Sequence, residues 1–268
     1  MPFIESQRLT HYVEQRGTGR DVLVLNGTGA DLRQKPNILD SPLSSAFRVT
    51  SFDQRGLGQT DKPDSGYTMA DYADDAAALM TALDLHDAMI LGISFGGMVA
   101  QELAVRHPDR ISRLALWCTA AGGDGGASYP LHELAALDDD ARLREMVKLN
   151  DTRLDDAVIA ARPDLLESAR QRTDLSAYAH EPRWAEGRAA QLAARAGHDC
   201  WDKLAQIDCP TFLGGGAYDG IAAPDAMRAM AARLSHADLT FYEGGHFFML
   251  QDPRAFPDLL AFFEKEDR

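Results

Sequence analysis

A serine between two glycines, at the junction of a predicted strand and a predicted helix, constrains the fold of this chain most strongly. Residues 92–96 read Gly-Ile-Ser-Phe-Gly, after an apolar run at 88–91 and before a helical pattern at 97–104. Glycine permits a tight turn that a side chain would obstruct, and such a turn exposes the serine hydroxyl. The following helix directs the positive end of its dipole at whatever the serine attacks. We therefore take Ser94 as the candidate nucleophile.

Strand and helix patterns alternate through the first half of the chain. Apolar runs predict strands at 9–14, 21–25, 47–52, 88–92 and 114–118. Apolar residues at helical spacing follow Thr68, which forms a capping-box pattern with Asp71. This alternation predicts a mostly parallel sheet that is covered by helices on both faces. Sheets of this kind place their chemistry beyond the carboxyl ends of the strands.

The composition changes after the glycine-rich residues 122–126. From 127 to 200 no strand pattern is convincing, and the chain reads as helices that break at Pro163 and Pro182. The strand and helix patterns resume with strands at 210–214 and 239–242, and with helices near 224–234 and 253–265. We predict a core formed by residues 1–122 and 202–268, with residues 123–201 inserted as a helical lid.

The net charge of −14 and the pI near 4.9 argue against nucleic acid or an anionic membrane surface as a partner. Cys118, Cys200 and Cys209 show no close pairing motif, which favours free thiols in a reducing compartment. We find no stretch that approaches a membrane span and no signal-peptide pattern at the N-terminus. The expectation is a cytoplasmic protein, with the oligomeric state open and a homodimer among the options.

A serine hydroxyl needs a base within hydrogen-bond reach, and that base needs an acidic residue to orient it. Among the eight histidines, His246 directly follows the strand at 239–242, so it falls at the same sheet edge as Ser94. Asp219 follows the strand at 210–214 across a glycine-rich turn and is the candidate acid. Asp124 is a rival acid, but its glycine neighbours look more like a hinge into the lid.

The chain order of serine, acid and histidine is that of the α/β-hydrolases. Four motifs together resemble this superfamily, namely Gly-Ile-Ser-Phe-Gly-Gly at 92–97, Asp-Gln-Arg-Gly-Leu-Gly at 53–58, Tyr-Asp-Gly-Ile-Ala-Ala-Pro at 218–224 and Gly-Gly-His at 244–246. Within it, the chain looks most similar to the group of 3-oxoadipate enol-lactonase-like enzymes and small carboxylesterases. The resemblance implies the α/β-hydrolase fold, with a mostly parallel eight-stranded sheet, flanking helices and an inserted helical lid.

The resemblance also implies an oxyanion hole made by the backbone amides of Thr28 and Phe95. Many family members carry His-Gly in the first of these loops, where this chain has Asn26-Gly27. The backbone donor survives that change, whereas Asn26 is left either as a turn residue or as a substrate contact. The motif at 53–58 is expected to support the oxyanion region structurally rather than to act in catalysis.

Other chemistries fit the residues poorly. The Gly27-Thr28-Gly29 segment lacks the third glycine of a dinucleotide-binding loop, and no phosphate-binding Gly-Lys-Ser/Thr motif is present. Metal-ligand spacings such as His-x-x-x-His and Cys-x-x-Cys are absent, so we expect neither a metal nor an organic cofactor. Dehalogenases and epoxide hydrolases of this superfamily carry aspartate at the nucleophile position, and Ser94 argues against them.

The resulting prediction is a hydrolase that cleaves a small carboxylic ester or lactone through an acyl-enzyme on Ser94. A carbon–carbon bond hydrolase acting on a ring-cleavage diketone with the same triad is the alternative enzyme. A non-catalytic protein that binds a small ligand is the alternative of a different class. Candidate substrate contacts are Asn26, Tyr129, Trp184 and Phe247. Met146, Leu149 and Tyr178 line the pocket or only close the core of the lid.

Overall fold

The computed structural model describes residues 2–173 and 175–265, and its centre is one eight-stranded sheet. The strands are β1 (Phe3–Glu5), β2 (Thr10–Arg16), β3 (Asp21–Leu25), β4 (Arg48–Phe52), β5 (Ala88–Ile93), β6 (Ile111–Trp117), β7 (Thr211–Gly216) and β8 (Ala237–Tyr242). Their order across the sheet is β1-β2-β4-β3-β5-β6-β7-β8. Strand β2 is antiparallel to both neighbours, and the other strands pair in parallel. The predicted eight-stranded, mostly parallel sheet is thus confirmed.

Helices cover the sheet on both faces. They are α1 (Leu43–Ala46), α2 (Met69–Ala82), α3 (Phe95–Arg106), α4 (Asp139–Asn150), α5 (Asp156–Ala161), α6 (Asp164–Thr173), α7 (Trp184–Ala196), α8 (Pro224–Arg233), α9 (Phe248–Gln251) and α10 (Ala255–Glu264). Helices α2, α3 and α8 share one core cluster with the sheet, and α1, α9 and α10 share the other. No helix among the described residues is long and apolar enough to cross a membrane.

Strand β5 shows why both faces need this cover. Ala88 and Ile90 belong to the cluster under α2 and α3, whereas Met89 and Leu91 belong to the cluster under α10. Successive side chains of a strand point to opposite faces, so a continuously apolar strand must be buried on both. The apolar run that precedes Ser94 is therefore the centre of the sheet, with all four residues at most 1% exposed.

The structure differs from the predicted elements mainly at their ends. Strand β1 is absent from the predicted set, because three residues are too few to show a periodic pattern. Strand β6 starts three residues earlier than predicted, at Ile111, and ends before Cys118, which has a positive φ of 42°. Helix α2 begins as predicted, since Thr68 and Asp71 form both hydrogen bonds of the capping box.

The segment between β6 and β7 contains helices α4 to α7 and, within its described residues, no strand. Pro163 separates α5 from α6 and Pro182 precedes α7, as the sequence predicts. A small apolar cluster of Val147, Ile159 and Ala169 joins the first three of these helices. We call this segment the lid. Its predicted boundaries at 122/123 and 201/202 remain a prediction.

Candidate active site

Ser94 lies between β5 and α3 in a backbone conformation that is rare for a residue with a side chain, at φ 54° and ψ −115°. The two flanking glycines explain how the turn can be so tight. A Cβ at Gly92 would lie 2.6 Å from the carbonyl oxygen of Gly96, and one at Gly96 would overlap the carbonyl oxygen of Leu25. Helix α3 comes so close to β5 and β3 that only glycine can occupy these two positions. The two glycines thus allow the tight turn that holds Ser94 in its strained backbone conformation.

The predicted triad residues come together at the carboxyl edge of the sheet. The Oγ of Ser94 lies 3.1 Å from Nε2 of His246, and Nδ1 of His246 lies 2.8 Å from Oδ2 of Asp219. Because a carboxylate only accepts, Nδ1 carries the proton and Nε2 is left to accept from the serine hydroxyl. All three residues are at most 7% exposed. This is the geometry that general-base activation of a serine requires.

Asp219 cannot turn away from the histidine. Its Oδ1 accepts from the backbone amides of Ile221 and Ala222, at 2.8 and 2.9 Å, which leaves Oδ2 to face His246. The rival acid Asp124 lies in an exposed turn after β6 and makes no contact with His246 in the described residues. The structure therefore brings Asp219 to the imidazole and leaves Asp124 apart.

Close backbone contacts hold the histidine loop. A Cβ at Gly216 would overlap the carbonyl oxygen of Gly245, and one at Gly245 would overlap that of Asn150 at the end of α4. The His246 amide also donates to the carbonyl oxygen of Asn150, at 2.6 Å. The lid thus fixes the loop that carries the candidate base.

The predicted oxyanion loop lies against the nucleophile. The Cβ position of Gly27 is 3.6 Å from the Cβ of Ser94. Within residues 2–173 and 175–265, neither the Thr28 amide nor the Phe95 amide donates to a protein acceptor. Two unbonded N–H groups beside a nucleophile are what an oxyanion would need. Their role as an oxyanion hole remains a prediction.

Asn26 anchors this loop to its neighbours. Its side-chain amide donates to Oγ of Ser51 on β4 at 2.9 Å. The backbone carbonyl oxygen of Asn26 accepts from Nε2 of Gln54 at 2.8 Å. The buried Asp53 carboxylate accepts from the Leu32 amide at 2.7 Å. Burial raises the pKa of Asp53 to about 7. These contacts agree with the supporting role expected for the motif at 53–58.

The other predicted substrate contacts lie in three different segments of the chain. Phe247 is 48% exposed, and its ring meets the edge of the His246 ring at 5.7 Å. Trp184 begins α7 and lies under the Arg188 guanidinium at 4.8 Å. The backbone amide of Tyr129 donates to the carbonyl oxygen of Ile221. The substrate-binding role of all these residues remains a prediction.

The lid residues Tyr178 and Leu149 already have protein partners. The Tyr178 ring lies 3.5 Å from the Arg33 guanidinium, and the carbonyl oxygen of Leu149 accepts from the Gly220 amide at 2.9 Å. These contacts fit residues that close the lid against the core.

The sequence analysis missed three polar residues of α7. Gln191 accepts from the Gly29 amide at 2.8 Å, Arg188 donates to the Gly29 carbonyl oxygen at 3.2 Å, and Arg195 donates to the Tyr129 carbonyl oxygen at 2.6 Å. Their spacing of three and four residues places them on one face of the helix. Polar residues at three- and four-residue spacing in an alanine-rich helix are the signal that could have found them.

Other reactive groups are arranged differently. Burial raises the pKa of the Cys118 thiol well above its usual value, so this neighbour of the serine turn is a neutral core residue. No group of three or more His, Cys, Asp or Glu side chains in the described part of the chain is placed to hold a metal ion.

Known hydrolases are similar to this chain in fold or in sequence. The enol-lactonase from Burkholderia xenovorans has a TM-score of 0.79 at 25% identity, over 98% of this chain and all of that one. A poly(3-hydroxyalkanoate) depolymerase from Ectopseudomonas oleovorans is 27% identical over 92% of this chain and 85% of its own length. A 2-hydroxymuconate semialdehyde hydrolase from a Pseudomonas species is 32% identical over 44% of this chain, which spans about two fifths of that relative.

Ser94, Asp219 and His246 all lie inside the region that the family model covers. Residues 22–253 match the model of the alpha/beta hydrolase fold, and the chain belongs to this family.

Proposed function

We propose that this chain is a serine hydrolase that cleaves a carboxylic ester or lactone of a small molecule. The carrying observation is the continuous hydrogen-bonded path from Ser94 through His246 to Asp219, at 3.1 and 2.8 Å. A path of this kind activates a hydroxyl that is otherwise a weak nucleophile. The names of two relatives, an enol-lactonase and a polyester depolymerase, support ester-type substrates.

In the proposed mechanism, His246 Nε2 takes the hydroxyl proton while Ser94 Oγ attacks the carbonyl carbon. The negative oxygen is stabilised by the Thr28 and Phe95 amides, each donor contributing about 3 kcal/mol in the transition state. His246 then returns the proton to the leaving alcohol, and Asp219 stabilises the imidazolium in between. A water molecule, deprotonated by the same histidine, hydrolyses the acyl-enzyme. The proposed steps need neither a metal ion nor an organic cofactor.

The first test is covalent labelling with a fluorophosphonate probe, followed by peptide mass spectrometry. We expect one adduct on Ser94 in the wild type and none in the Ser94→Ala variant. Turnover of 4-nitrophenyl esters and of simple lactones should disappear in the same variant. Absence of labelling and turnover in the wild type would favour the non-catalytic ligand binder.

A carbon–carbon bond hydrolase is the second candidate, because the triad alone does not distinguish it and one relative is named as a 2-hydroxymuconate semialdehyde hydrolase. That reaction needs a vinylogous diketone in place of an ester. Wild-type enzyme should be assayed side by side with 4-nitrophenyl butyrate and with a ring-cleavage diketone. A kcat/KM for the diketone about a hundredfold above that for the ester would replace the ester proposal.

A further inference from the structure

The buried face of α7 contacts loops that belong to or adjoin the candidate active site. Gln191 contacts Gly29 in the oxyanion loop, and one turn later Arg195 contacts Tyr129. Tyr129 in turn bonds to Ile221, two residues after the triad acid. The helix therefore extends from the oxyanion loop, which lies against Ser94, to the Asp219 loop, which reaches Ser94 through His246.

This face carries polar groups without partners. Gln191 is fully buried and Arg195 is 4% exposed. Nevertheless Nε2 of Gln191 and both Nε and Nη2 of Arg195 have no hydrogen-bond partner among the described residues, and the Thr28 hydroxyl in the facing loop also has none. Buried polar groups of proteins are nearly always satisfied. Unpaired donors on α7 and on the oxyanion loop that it contacts therefore point to a ligand.

The unpaired edge of Arg195 is the edge that other arginines of this chain use to bind carboxylates. Seven arginines donate through Nε and Nη2 to the two oxygens of a single aspartate. They are Arg33, Arg48, Arg55, Arg106, Arg153, Arg162 and Arg254. This bidentate geometry is the preferred pairing of guanidinium and carboxylate. Arg195 presents the same edge, more deeply buried than most of these, and no carboxylate among the described residues occupies it.

Asp219 does not fill this edge, although it lies within electrostatic range of Arg195. Its two oxygens are already engaged by Ile221, Ala222 and His246. Burial lowers the pKa of Arg195 to about 10, so the guanidinium stays charged at neutral pH. A buried charge that lacks a partner is costly, and an anionic ligand would offset that cost.

We propose that Arg195, Gln191 and Thr28 form a subsite for a carboxylate that the substrate carries in addition to its scissile ester or lactone. This inference rests on the proposed hydrolase function and narrows its substrate class. Arg195 binds the carboxylate through Nε and Nη2, Gln191 donates from Nε2, and the Thr28 hydroxyl supplies a third donor. Arg188 takes no part, because its guanidinium is engaged by Gly29 and by the Trp184 ring.

The test compares two substrates that differ only in charge, the 4-nitrophenyl half-ester of glutaric acid and its methyl ester. Rates of the Ser94→Ala variant are subtracted as background. We expect a wild-type kcat/KM about 10–100-fold higher for the half-ester, the range that hydrogen bonds to charged groups provide. In Arg195→Met this ratio should fall to about one, whereas Arg162→Met, in the lid but paired with Asp164, should retain it.

The Gln191→Glu variant keeps the proposal testable if Arg195→Met does not fold. Glutamate retains an oxygen for the Gly29 amide and places a carboxylate four residues from Arg195, where it competes for the free edge. The melting temperature should rise while the half-ester preference is lost. An unchanged preference together with an unchanged melting temperature would overturn the subsite.

Glutarate itself separates this proposal from the proposed function. It should raise the melting temperature of wild type and Ser94→Ala, but not that of Arg195→Met. If neither ester is hydrolysed above background while glutarate still stabilises the protein, the hydrolase proposal fails and the subsite stands. Equal wild-type kcat/KM for the two esters, with no effect of glutarate on stability, would refute the subsite alone.

Discussion

The triad on the core side of the site and the buried face of α7 on the lid side are similarly buried but differ in how fully their polar side chains are paired. On the core side, the side chains of Ser94, His246 and Asp219 form a chain of hydrogen bonds in which each side chain has a partner. On the lid side, Gln191 and Arg195 keep donors without a partner in the described structure. Under the proposed function and subsite, the groups that perform the chemistry would be assembled before the substrate arrives, whereas the groups that recognise the substrate would find their partners only on binding it.

The two sides also differ in what holds them. Close backbone approaches that only glycine permits fix the core side, as at Gly96 against Leu25. Side-chain hydrogen bonds from one helix, such as Gln191 to Gly29, hold the lid side. Core substitutions should therefore abolish turnover, and lid substitutions should shift selectivity and rate by smaller factors.

The largest effect is expected at the nucleophile and base. Ser94→Ala or His246→Ala should lower kcat for a 4-nitrophenyl ester by about 10⁴-fold or more, because the acyl-enzyme can no longer form. Steady-state kinetics with active-site titration would measure the loss. His86→Ala, at an exposed histidine, serves as control and should keep the wild-type rate. A loss below tenfold in either triad variant would contradict the proposed mechanism.

Asp219→Asn should come next, with kcat lower by about 10³–10⁴-fold and KM little changed. The amide can offer its N–H₂ group to the histidine, which favours the wrong tautomer. Asp124→Asn is the matched control, since Asp124 is the rival acid in the sequence and lies exposed after β6. Equal losses in the two variants would show that the acid has been assigned wrongly.

The core side of the site could be predicted from sequence because its signals are local. Ser94, Asp219 and His246 each follow a strand pattern directly, and parallel strands bring their carboxyl ends to one edge. Even the start of α2 was readable, because Thr68 and Asp71 form a capping box within four residues. A pattern that is complete within a short stretch of sequence can be recognised without knowledge of the rest of the chain.

The lid side could not be predicted, because its contacts join distant residues. Gln191 and Gly29 are 162 positions apart, and nothing in either neighbourhood indicates the other. Arg195 looks like a solvent-exposed helix residue in a segment rich in alanine and arginine, yet it is buried. Strand β1 was missed for a related reason, since its three residues are ordered only by pairing with β2.

A buried histidine of the lid makes part of the folding stability depend on pH. Burial lowers the pKa of His198 from 6.5 to about 4, and Asp199, Lys203 and Arg195 supply the smaller electrostatic effects around it. Between pH 6.5 and 4, His198 is therefore protonated in the unfolded chain and neutral in the folded chain. The stability present above pH 6.5 is lost as the pH falls toward 4, by about 2 kcal/mol between pH 7.5 and 5.

Urea unfolding at these two pH values would measure this loss. In His198→Asn the decrease between pH 7.5 and 5 should be smaller than in the wild type by about 2 kcal/mol. His86→Asn, at an exposed histidine, should show the wild-type decrease. If His198→Asn also shows it, the proton uptake belongs to other groups.

The smallest effect tests whether the two sides of the site communicate. Gln191 holds the amide of Gly29, which directly follows the candidate oxyanion donor Thr28. Gln191→Met keeps the volume but removes the acceptor, so the loop should spend less time with the Thr28 amide facing the oxyanion. We expect kcat for a neutral ester to fall about tenfold, with KM nearly unchanged, because a contact made in the transition state is weakened. Gln171→Met, at an exposed lid position, is the control. A rise in KM alone would show that α7 contributes to substrate binding but does not position the oxyanion loop.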